Sequence, residues 1–470
     1  MPRRTTRPLR AVAIIGVVGL VPFASMWIVG STLANRTAAK NAAPVEQPEA
    51  PILSVRRAPK SLSVDIAVRN LDNTLDALEE SLPSGSCLRV DAGGRVASAV
   101  RSTETFEPAS NVKIITAAVA LEALPATTVF TTRVLGVNQA GTVTGNLVLK
   151  GGGDPLLSTK DFLPTEKYPK TTPTLLDTLA DQVVALGITS ISGAVVGDES
   201  YLDNTRYMVG WGSGIRGVEG GPLGALLVND GVVVSDPIKP DNPAIAAARE
   251  FTRLLRARGV RIGGDPKTAS KADAVLPELT SINSAPLSSV LAEMLSNSNN
   301  NSAELLLRHV GLAVKQLGTS TAGLEVVAEW LKKMTFDDTV IKDGSGLSRG
   351  SRISCSTLTT ILEQTPKDSV LRTGLAVAGK TGTLSDAFQG TPIQGKFLGK
   401  TGTLTNVKTL SGLLPVSDTD AVFAALMLNG AGLADQGNYR PLWNRLANAI
   451  GSYPDAPPTD DLGVVAPIAP

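Results

Sequence analysis

Three short strings of residues could together carry out nucleophilic catalysis. Ser110 precedes Lys113 by three positions, Ser298 precedes Asn300 by two, and a Lys-Thr-Gly string begins at Lys400. A serine hydroxyl becomes a good nucleophile only when a base removes its proton, and a neutral lysine amine can be that base. Residues three apart share one face of a helix. The strings therefore indicate serine–lysine chemistry, which needs no histidine.

The composition argues against two other classes of protein. Lys plus Arg number 44 and Asp plus Glu 43, so the charge gives no reason to expect nucleic acid as a partner. The single histidine, His309, and two cysteines cannot form a multi-histidine zinc site, so we expect neither a metal nor a cofactor. His309 lies in an apolar run typical of a packed helix and is expected to be structural.

The N-terminus carries a compartment signal. Four arginines within the first ten residues precede an uncharged run over residues 11–35. At about 1.5 Å per residue this run is long enough to span a membrane, and the arginines predict a cytoplasmic N-terminus. Residues 1–35 therefore predict a signal anchor, or a signal peptide if they are cleaved. Either way, the rest of the chain is expected outside the cytoplasm.

Proline-rich segments flank the folded body. Residues 36–60 predict an extended linker, and residues 451–470 predict a disordered tail. In an extracytoplasmic protein Cys87 and Cys355 could form a disulfide. Two buried free thiols are the alternative.

The body between these segments has the pattern of an α+β fold. Leucines at helical spacing from Leu71 to Leu78 predict an amphipathic helix. A run almost free of charge after Ser110 predicts a buried helix with the serine in its first turn. Residues 405–414 and 421–429 predict an antiparallel hairpin, so an antiparallel sheet flanked by helices is expected.

A long interval separates Lys113 from Ser298. It is rich in strand and turn patterns, which predict an inserted, mainly β module over residues 133–275. Residues 61–132 and 276–450 would then form the catalytic domain.

Five strings in this order give the chain a family resemblance. They are Pro108–Lys113, Gly151–Pro155, Ser298–Glu304, Asp343–Arg349 and Lys400–Leu404. The chain resembles the class-C low-molecular-mass penicillin-binding proteins, the D-Ala-D-Ala carboxypeptidase/endopeptidase family often named penicillin-binding protein 4. The resemblance covers nearly all of residues 60–450. It implies the serine β-lactamase/D,D-peptidase-like fold, and that family also carries an insertion between its first two motifs.

Two features depart from the family pattern. Asn299 stands where Asp is common, and the Lys-Thr-Gly string occurs twice, at Lys380 and at Lys400. The family places this string on an edge strand beside the nucleophile. The second copy leads into the predicted hairpin, so we assign the motif to it and expect Lys380 to be exposed and paired with an acid.

The resemblance implies a role for each motif. Lys113 is the base for Ser110, Ser298 passes the proton to the leaving nitrogen, and Asn300 holds Lys113 and the substrate amide. Burial between cationic neighbours lowers the pKa of a lysine, and the resemblance implies that Lys400 supplies such a charge to Lys113 from across the cleft.

The third motif is implied to bind the free carboxylate at the end of the substrate. The residues of this subsite are Lys400, Thr401, Gly402 and Thr403. The oxyanion is expected between the backbone N–H groups of Ser110 and Thr403.

Two further substrate contacts are expected more weakly. Arg349 contacts substrate or forms an ion pair, and Asp198, or else Asp203, could meet the ammonium of diaminopimelate from the module.

The implied reaction is removal of the terminal D-Ala from peptidoglycan stem peptides that end in D-Ala-D-Ala, with β-lactams as covalent inhibitors. Cleavage of D,D-crosslinks is the same chemistry on a larger leaving group. A class A β-lactamase is a rival, but residues 320–340 offer Glu325 and Glu329 without the Glu-x-x-x-Asn string that clears the acyl-enzyme. A catalytically inactive cell-wall binding protein of the same fold is a second rival.

Overall fold

The computed structural model describes residues 58–234, 236, 238–269 and 276–463. Contacts divide the chain into two units, residues 63–457 and the two terminal stretches 1–62 and 458–470. Of the terminal stretches, the described residues are 58–62 and 458–463. The predicted anchor, residues 1–35, and most of the predicted linker lie outside the described residues. Within the described ranges, no helix is both long and apolar enough to cross a membrane.

Helices and strands both occur along the whole described part of the chain. The helices are α1 (Pro59–Glu79), α2 (Val112–Ala123), α3 (Leu176–Ala185), α4 (Pro243–Ala257), α5 (Leu287–Asn297), α6 (Asn300–Lys315), α7 (Ser320–Lys333), α8 (Cys355–Gln364), α9 (Val370–Thr373), α10 (Gln436–Gly451) and α11 (Thr459–Leu462). The longer strands are β1 (Ser86–Ala92), β2 (Arg95–Val100), β4 (Thr131–Gln139), β5 (Thr142–Lys150), β9 (Val195–Asp198), β12 (Glu278–Asn283), β15 (Leu398–Leu404), β16 (Val407–Pro415) and β17 (Ala421–Asn429). Two-residue strands complete the set: β3 (Thr105–Phe106), β6 (Leu157–Ser158), β7 (Thr174–Leu175), β8 (Ser190–Ile191), β10 (Arg261–Ile262), β11 (Lys267–Thr268), β13 (Ile353–Ser354) and β14 (Ala376–Val377).

A six-stranded sheet carries the predicted third motif. Its strand order is β14-β15-β16-β17-β1-β2, and every neighbouring pair is antiparallel. The predicted hairpin is present as β16 and β17, with Leu413 opposite Phe423. The expected antiparallel sheet with flanking helices is confirmed, and the fold class is α+β.

Alternating side chains along this sheet enter two different cores. On β17, Leu426 and Leu428 pack with Leu71 of α1 and Trp443 of α10. Ala425 and Met427, which point to the other face, pack with apolar residues of α2 and α5 to α8. Ser110 and Ser298 belong to the elements on this second face, so the sheet edge and the helical layer meet at the predicted motifs.

A second sheet is built from the residues between the first two motifs. Its path is β10-β8-β5-β4-β12, with β9 pairing to β5 and β11 to β9. The sheet begins with β4 at Thr131 and ends with β12 at Asn283, so it extends beyond the range 133–275 predicted for the module. Helices α3 and α4 pack against it through Leu179 and Phe251, which makes this part of the chain mixed rather than purely β.

A disulfide joins the first sheet to the helical layer. Cys87 of β1 bonds to Cys355, the first residue of α8, with the two Cα atoms 6.0 Å apart. Both cysteines are fully buried. The disulfide hypothesis is confirmed, and the alternative of two free thiols is wrong.

The C-terminal end departs from the predicted tail. Helix α10 continues to Gly451, and Tyr453 is buried with its hydroxyl donating to Asp420 over 3.0 Å. The expected disordered tail from residue 451 is therefore wrong at its start, because an apolar ring and a hydrogen bond hold Tyr453 to the body.

Candidate active site

The predicted nucleophile, Ser110, lies in a tight turn that leads into a buried helix. Residues Ala109–Asn111 form a 3-10 turn directly before α2, and Ser110 is half-buried. Ala109 has φ 46°, a left-handed value that is uncommon for a residue with a side chain. Gly346, at φ +83°, lies against this turn, where a Cβ would overlap the Ala109 carbonyl. The glycine loop thus supports the backbone conformation that presents Ser110.

Asn111 fastens this turn to the sheet. Its buried side-chain amide donates to the Thr409 hydroxyl over 2.5 Å and accepts from the Ser411 hydroxyl, both on β16. Thr409 in turn donates to the Pro108 carbonyl over 2.9 Å. On β15, a Cβ at Gly402 would lie 2.8 Å from that same carbonyl, so glycine permits the close approach of strand and turn. The sequence analysis missed Asn111, which lies inside the first motif.

Lys113 reaches the nucleophile from the first turn of α2. Its Nζ lies 2.9 Å from Ser110 Oγ, 2.7 Å from Asn300 Oδ1 and 2.7 Å from the Ser345 carbonyl. The side chain is fully buried. The expected contacts of Lys113 with Ser110 and Asn300 are present, and the Ser345 contact is an addition.

Burial is the main reason that Lys113 can act as a base. Removal of the ammonium from water lowers the pKa of Lys113 to about 7, although the carboxylates of Asp343, Glu304 and Glu219 act to raise it. The expected lowering is present, and burial is its largest cause. The positive charge of Lys400 is a neighbour of Lys113, since the two ammonium groups disfavour each other, but it is not the main cause.

Two buried carboxylates shape the loop that faces Lys113. Glu304 accepts hydrogen bonds from the backbone N–H groups of Gly344 and Ser345, at 3.2 and 2.9 Å. Asp343 accepts from the N–H groups of Gly346 and Ser348, each at 2.7 Å, and from the Trp211 ring at 2.8 Å. These bonds fix the direction of the Ser345 carbonyl. Burial and the neighbouring Asp343 raise the pKa of Glu304 to about 7.

The second motif occupies the junction between α5 and α6. Ser298 has φ 62° and ends α5, while the Asn299 side chain caps α6 by accepting from the Ser302 N–H over 2.8 Å. The cap explains why Asn works at position 299, since Asn and Asp are equally good caps. Asn300 accepts a hydrogen bond from Lys113 through Oδ1 and donates one through Nδ2 to the Glu219 carbonyl over 2.7 Å. Glu219 lies between β9 and α4, so Asn300 also holds this loop of the inserted part at the site.

Lys400 lies on β15 and faces the second motif. Its Nζ donates to Ser298 Oγ and to the Thr401 carbonyl, both at 2.8 Å. The side chain is fully buried, and burial lowers the pKa of Lys400 well below its usual value, with Lys113 and Lys408 adding to the effect. Strand β14 pairs with β15 at Leu398 and Gly399. The pairing of these two strands therefore stops before Lys400.

The first Lys-Thr-Gly copy is also close to the site, which the sequence analysis did not anticipate. Thr383 follows that copy directly, and its hydroxyl accepts a hydrogen bond from the Thr401 hydroxyl over 2.8 Å. Lys380 is exposed as expected. The expected acid partner is not found, because no ion pair of Lys380 occurs among the described residues. Thr403 is exposed, and its hydroxyl accepts from Lys408 Nζ over 2.9 Å.

The remaining predicted substrate contacts, Arg349 and Asp198, have protein partners of their own. Arg349 forms an ion pair with Glu107 at 3.2 Å and donates to the Thr405 carbonyl over 2.7 Å. Of the two roles expected for Arg349, substrate contact or an ion pair, the ion pair is therefore the one present.

Asp198 is buried at the end of β9, where it accepts from the Ser200 N–H over 2.9 Å and lies 3.7 Å from Lys150. Its carboxylate thus has protein partners at the strand end, and the contact with a substrate ammonium stays a prediction. Asp203 pairs with the buried Arg308 at 2.8 Å.

His309 has the structural role expected of it. Its ring lies 4.2 Å from the Phe130 ring, and Nε2 is 3.0 Å from the Gly153 carbonyl. Burial lowers the pKa of His309 to about 4, so the ring is neutral at physiological pH.

Comparison with known proteins places the whole body in one family. The model of the D-Ala-D-Ala carboxypeptidase 3 (S13) family matches residues 69–239 and 227–449. A D-alanyl-D-alanine carboxypeptidase of an Actinomadura species is 29% identical over 437 residues, which cover 74% of this chain and 78% of that protein. A carboxypeptidase of Mycobacterium tuberculosis is 28% identical over 364 residues, covering 72% and 76% of the two chains.

Solved structures show the same fold. Penicillin binding protein 4 of Haemophilus influenzae superposes with a TM-score of 0.65 at 22% identity, covering 80% of this chain and 97% of that one; the same protein has also been solved in complex with a β-lactam. A peptidoglycan endopeptidase of Bdellovibrio bacteriovorus gives a TM-score of 0.51 at 18% identity, covering 78% and 92%. With the family model matched across most of its length, the chain belongs to the D-Ala-D-Ala carboxypeptidase 3 (S13) family.

Proposed function

We propose that this protein is a serine-type carboxypeptidase that removes the terminal D-Ala from peptidoglycan stem peptides through an acyl-Ser110 intermediate. The observation that carries the proposal is the 2.9 Å contact between Lys113 Nζ and Ser110 Oγ, at an amine whose pKa burial lowers to about 7. A lysine in that state can accept the hydroxyl proton near neutral pH. The family membership supplies the reaction class.

Acylation follows from this arrangement. Lys113 takes the proton of Ser110 while Oγ attacks the carbonyl carbon of the penultimate D-Ala. The C–N bond to the terminal D-Ala then breaks, and the proton that Lys113 took from Ser110 passes by way of the Ser298 hydroxyl, which Lys400 orients, to the leaving nitrogen. Ser298 regains a proton as it gives one up, and Lys113 returns to its neutral form. Backbone N–H groups of Ser110 and Thr403 stabilise the oxyanion, and the close approach of turn and strand at Gly402 supports this pairing.

Deacylation transfers the acyl group to water, and we propose that this step is slow with penicillin. The buried carboxylates next to Lys113 are engaged: both oxygens of Glu304 and both of Asp343 accept hydrogen bonds from the protein. On α7, Glu329 pairs with Lys315 at 2.6 Å. A carboxylate held in this way is poorly suited to activate water against a penicilloyl ester, so inhibition rather than β-lactamase turnover is expected.

Two broader properties belong to the same proposal. A leaving group larger than D-Ala undergoes the same bond changes, so the enzyme also cleaves D,D-crosslinks where the crosslinked strand fits the cleft. The arginine-rich start and uncharged run of residues 1–35 support an extracytoplasmic location with an N-terminal membrane tether.

The test is release of D-Ala from diacetyl-L-Lys-D-Ala-D-Ala by the purified protein. We expect release by the wild type, inhibition by benzylpenicillin, and neither activity nor labelling by a fluorescent penicillin in Ser110→Ala. A wild type that neither releases D-Ala nor is labelled would favour the catalytically inactive cell-wall binding alternative. Rapid hydrolysis of a chromogenic cephalosporin would favour the β-lactamase alternative.

A further inference from the structure

The substrate of the proposed reaction ends in a carboxylate, and Lys400 is poorly placed to neutralise it. Lys400 is fully buried, and its Nζ already donates to Ser298 Oγ and to the Thr401 carbonyl. Burial, Lys113 and Lys408 all lower its pKa, so the charged state of Lys400 is costly. Its contacts fit a residue that orients the Ser298 hydroxyl better than one that binds an anion.

Lys408 is a second cation beside the same strand. It lies on β16 directly opposite Thr403 of β15, and cross-strand partners point to the same side of a sheet. Lys408 Nζ donates to the Thr403 hydroxyl over 2.9 Å. Thr403 is exposed and Lys408 half-buried, so a ligand that contacts the hydroxyl also comes within reach of the ammonium.

Aromatic rings hold this ammonium in place. Lys408 Nζ lies 4.3 Å from the ring centroid of Tyr439 and 5.2 Å from that of Trp443, both on α10. The two rings are themselves buried. Cation–π contacts of this kind favour the charged form and restrict a flexible side chain to one direction. The cation is therefore preorganised before any ligand arrives.

The charge of Lys408 has no protein anion to neutralise it. Among the described residues, no carboxylate forms an ion pair with Lys408, and Asp386, which acts on it at longer range, is paired with Arg440 at 3.0 Å. The other charged groups near Lys408 are Arg440, Lys167 and Lys400, all positive. A half-buried cation among further cations, beside a solvent-facing hydroxyl, is suited to a carboxylate ligand.

We propose that Lys408, together with the Thr403 hydroxyl, binds the C-terminal carboxylate of the substrate, while Lys400 serves the Ser298 hydroxyl. The assignment rests on the proposed function, since it takes the acyl acceptor to be Ser110. It divides two tasks between two lysines: Lys400 in proton transfer, Lys408 in recognition of the free acid.

The test compares two substrates that differ only in this group, diacetyl-L-Lys-D-Ala-D-Ala and its C-terminal amide. Lys408→Gln is expected to lower kcat/KM for the free acid about 10- to 100-fold, the typical effect of losing a hydrogen bond to a charged group, and to change the amide by less than about three-fold. Lys408→Arg, which keeps the charge, should retain most of the preference for the acid. Lys396→Gln, an exposed lysine just before β15, is the matched control and should change neither substrate.

Acylation by benzylpenicillin and by its methyl ester gives a second readout that does not depend on slow amide turnover. Lys408→Gln should slow the acid and spare the ester. A pH series adds a signature: burial lowers the pKa of Lys408 to about 8, so preference for the acid should fall as the pH rises through that value in the wild type but not in Lys408→Arg.

Equal losses on acid and amide, or no loss on the acid, would overturn the assignment of Lys408. Failure of the proposed function looks different, because the wild type would then release neither D-Ala from the acid nor D-alaninamide from the amide. Thermal unfolding of each variant shows whether it is folded.

Discussion

At Lys113, the cost of burying a charge outweighs the attraction of three nearby carboxylates. The amine lies in the interior with its Nζ bonded to Ser110, Asn300 and the Ser345 carbonyl. The net effect is a pKa of about 7. Burial is therefore the main reason that this lysine, next to a serine, can act as a base.

This environment predicts the pH dependence of acylation. Because Lys113 acts in its neutral form, the acylation rate should rise as the pH increases through about 7 and then level off. Lys113→Ala should lose about 10³-fold in rate, the usual contribution of a general base. The measurement is the second-order rate of labelling by a fluorescent penicillin between pH 5 and 9. A flat profile in the wild type would show that another group limits the reaction.

The duplicated motif gives a matched pair of lysines. Lys400→Ala should slow acylation about 100-fold, because the Ser298 hydroxyl loses the group that orients it. Lys380→Ala should stay within about two-fold of the wild type, since Lys380 is exposed and its copy contacts the site through Thr383. Both rates come from the same labelling assay. A loss in Lys380→Ala equal to that in Lys400→Ala would contradict the choice of motif.

At this scale the sequence predicted a group of residues that the structure brings together, but not all their partners. Ser110, Lys113, Ser298, Asn300 and Lys400 follow from short local strings. Contacts such as that of Lys408 with the ring of Tyr439 join strand to helix across the chain and leave no local pattern. The burial of Asp198 at a strand end was not predictable for a related reason, because an acid in a turn pattern is compatible with both a strand end and a substrate contact.

At the scale of elements, the loop Asp343–Arg349 supports the turn that bears Ser110. Gly346 adopts φ +83° and lies against the Ala109 carbonyl, while the buried carboxylates Glu304 and Asp343 hold the rest of the loop. Such a loop couples the helical layer to the turn that bears Ser110. It needs no contact with substrate to affect the reaction.

Gly346→Ala tests this coupling. The substitution adds a Cβ where the Ala109 carbonyl lies and also forces a positive φ, so we expect about 3 kcal/mol of destabilisation and at least a ten-fold slower acylation. Gly94→Ala is the control: its φ is +68° but a Cβ there meets nothing within 4 Å, so it should cost about 1 kcal/mol and leave the rate unchanged. Chemical unfolding and penicillin labelling measure the two quantities. Equal effects of both substitutions would show that the φ angle alone matters.

Elements with strong periodicity were predictable, and those made by distant contacts were not. The helix around Leu71, the helix after Ser110 and the β16–β17 hairpin follow from local apolar patterns. The contact of Asn111 with Thr409 joins residues 298 positions apart, and nothing in either local sequence indicates it.

For the whole molecule, the disulfide is the covalent link between sheet and helical layer. The Cys87–Cys355 bond closes a loop of 268 positions, the kind of long loop for which a crosslink restricts the unfolded chain most. The folded contacts between the same two layers also form the active site. Stability and catalysis therefore depend on one interface.

Removing the bond should lower stability more than activity. We expect the double variant Cys87→Ser/Cys355→Ser to lose about 5 kcal/mol of unfolding free energy in the chain-entropy model, while the folded fraction still labels with penicillin. Titration of the denatured, unreduced wild type should find no free thiols. Two free thiols per chain would show that the bond does not form in the isolated protein.

The acyl-enzyme itself tests the central claim most directly. After reaction with benzylpenicillin, intact mass spectrometry should show one added penicilloyl group per chain, and peptide mapping should place it on Ser110. In Ser110→Ala the added mass should be absent although the protein remains folded. A penicilloyl group on any other residue, or one that persists in Ser110→Ala, would contradict the account.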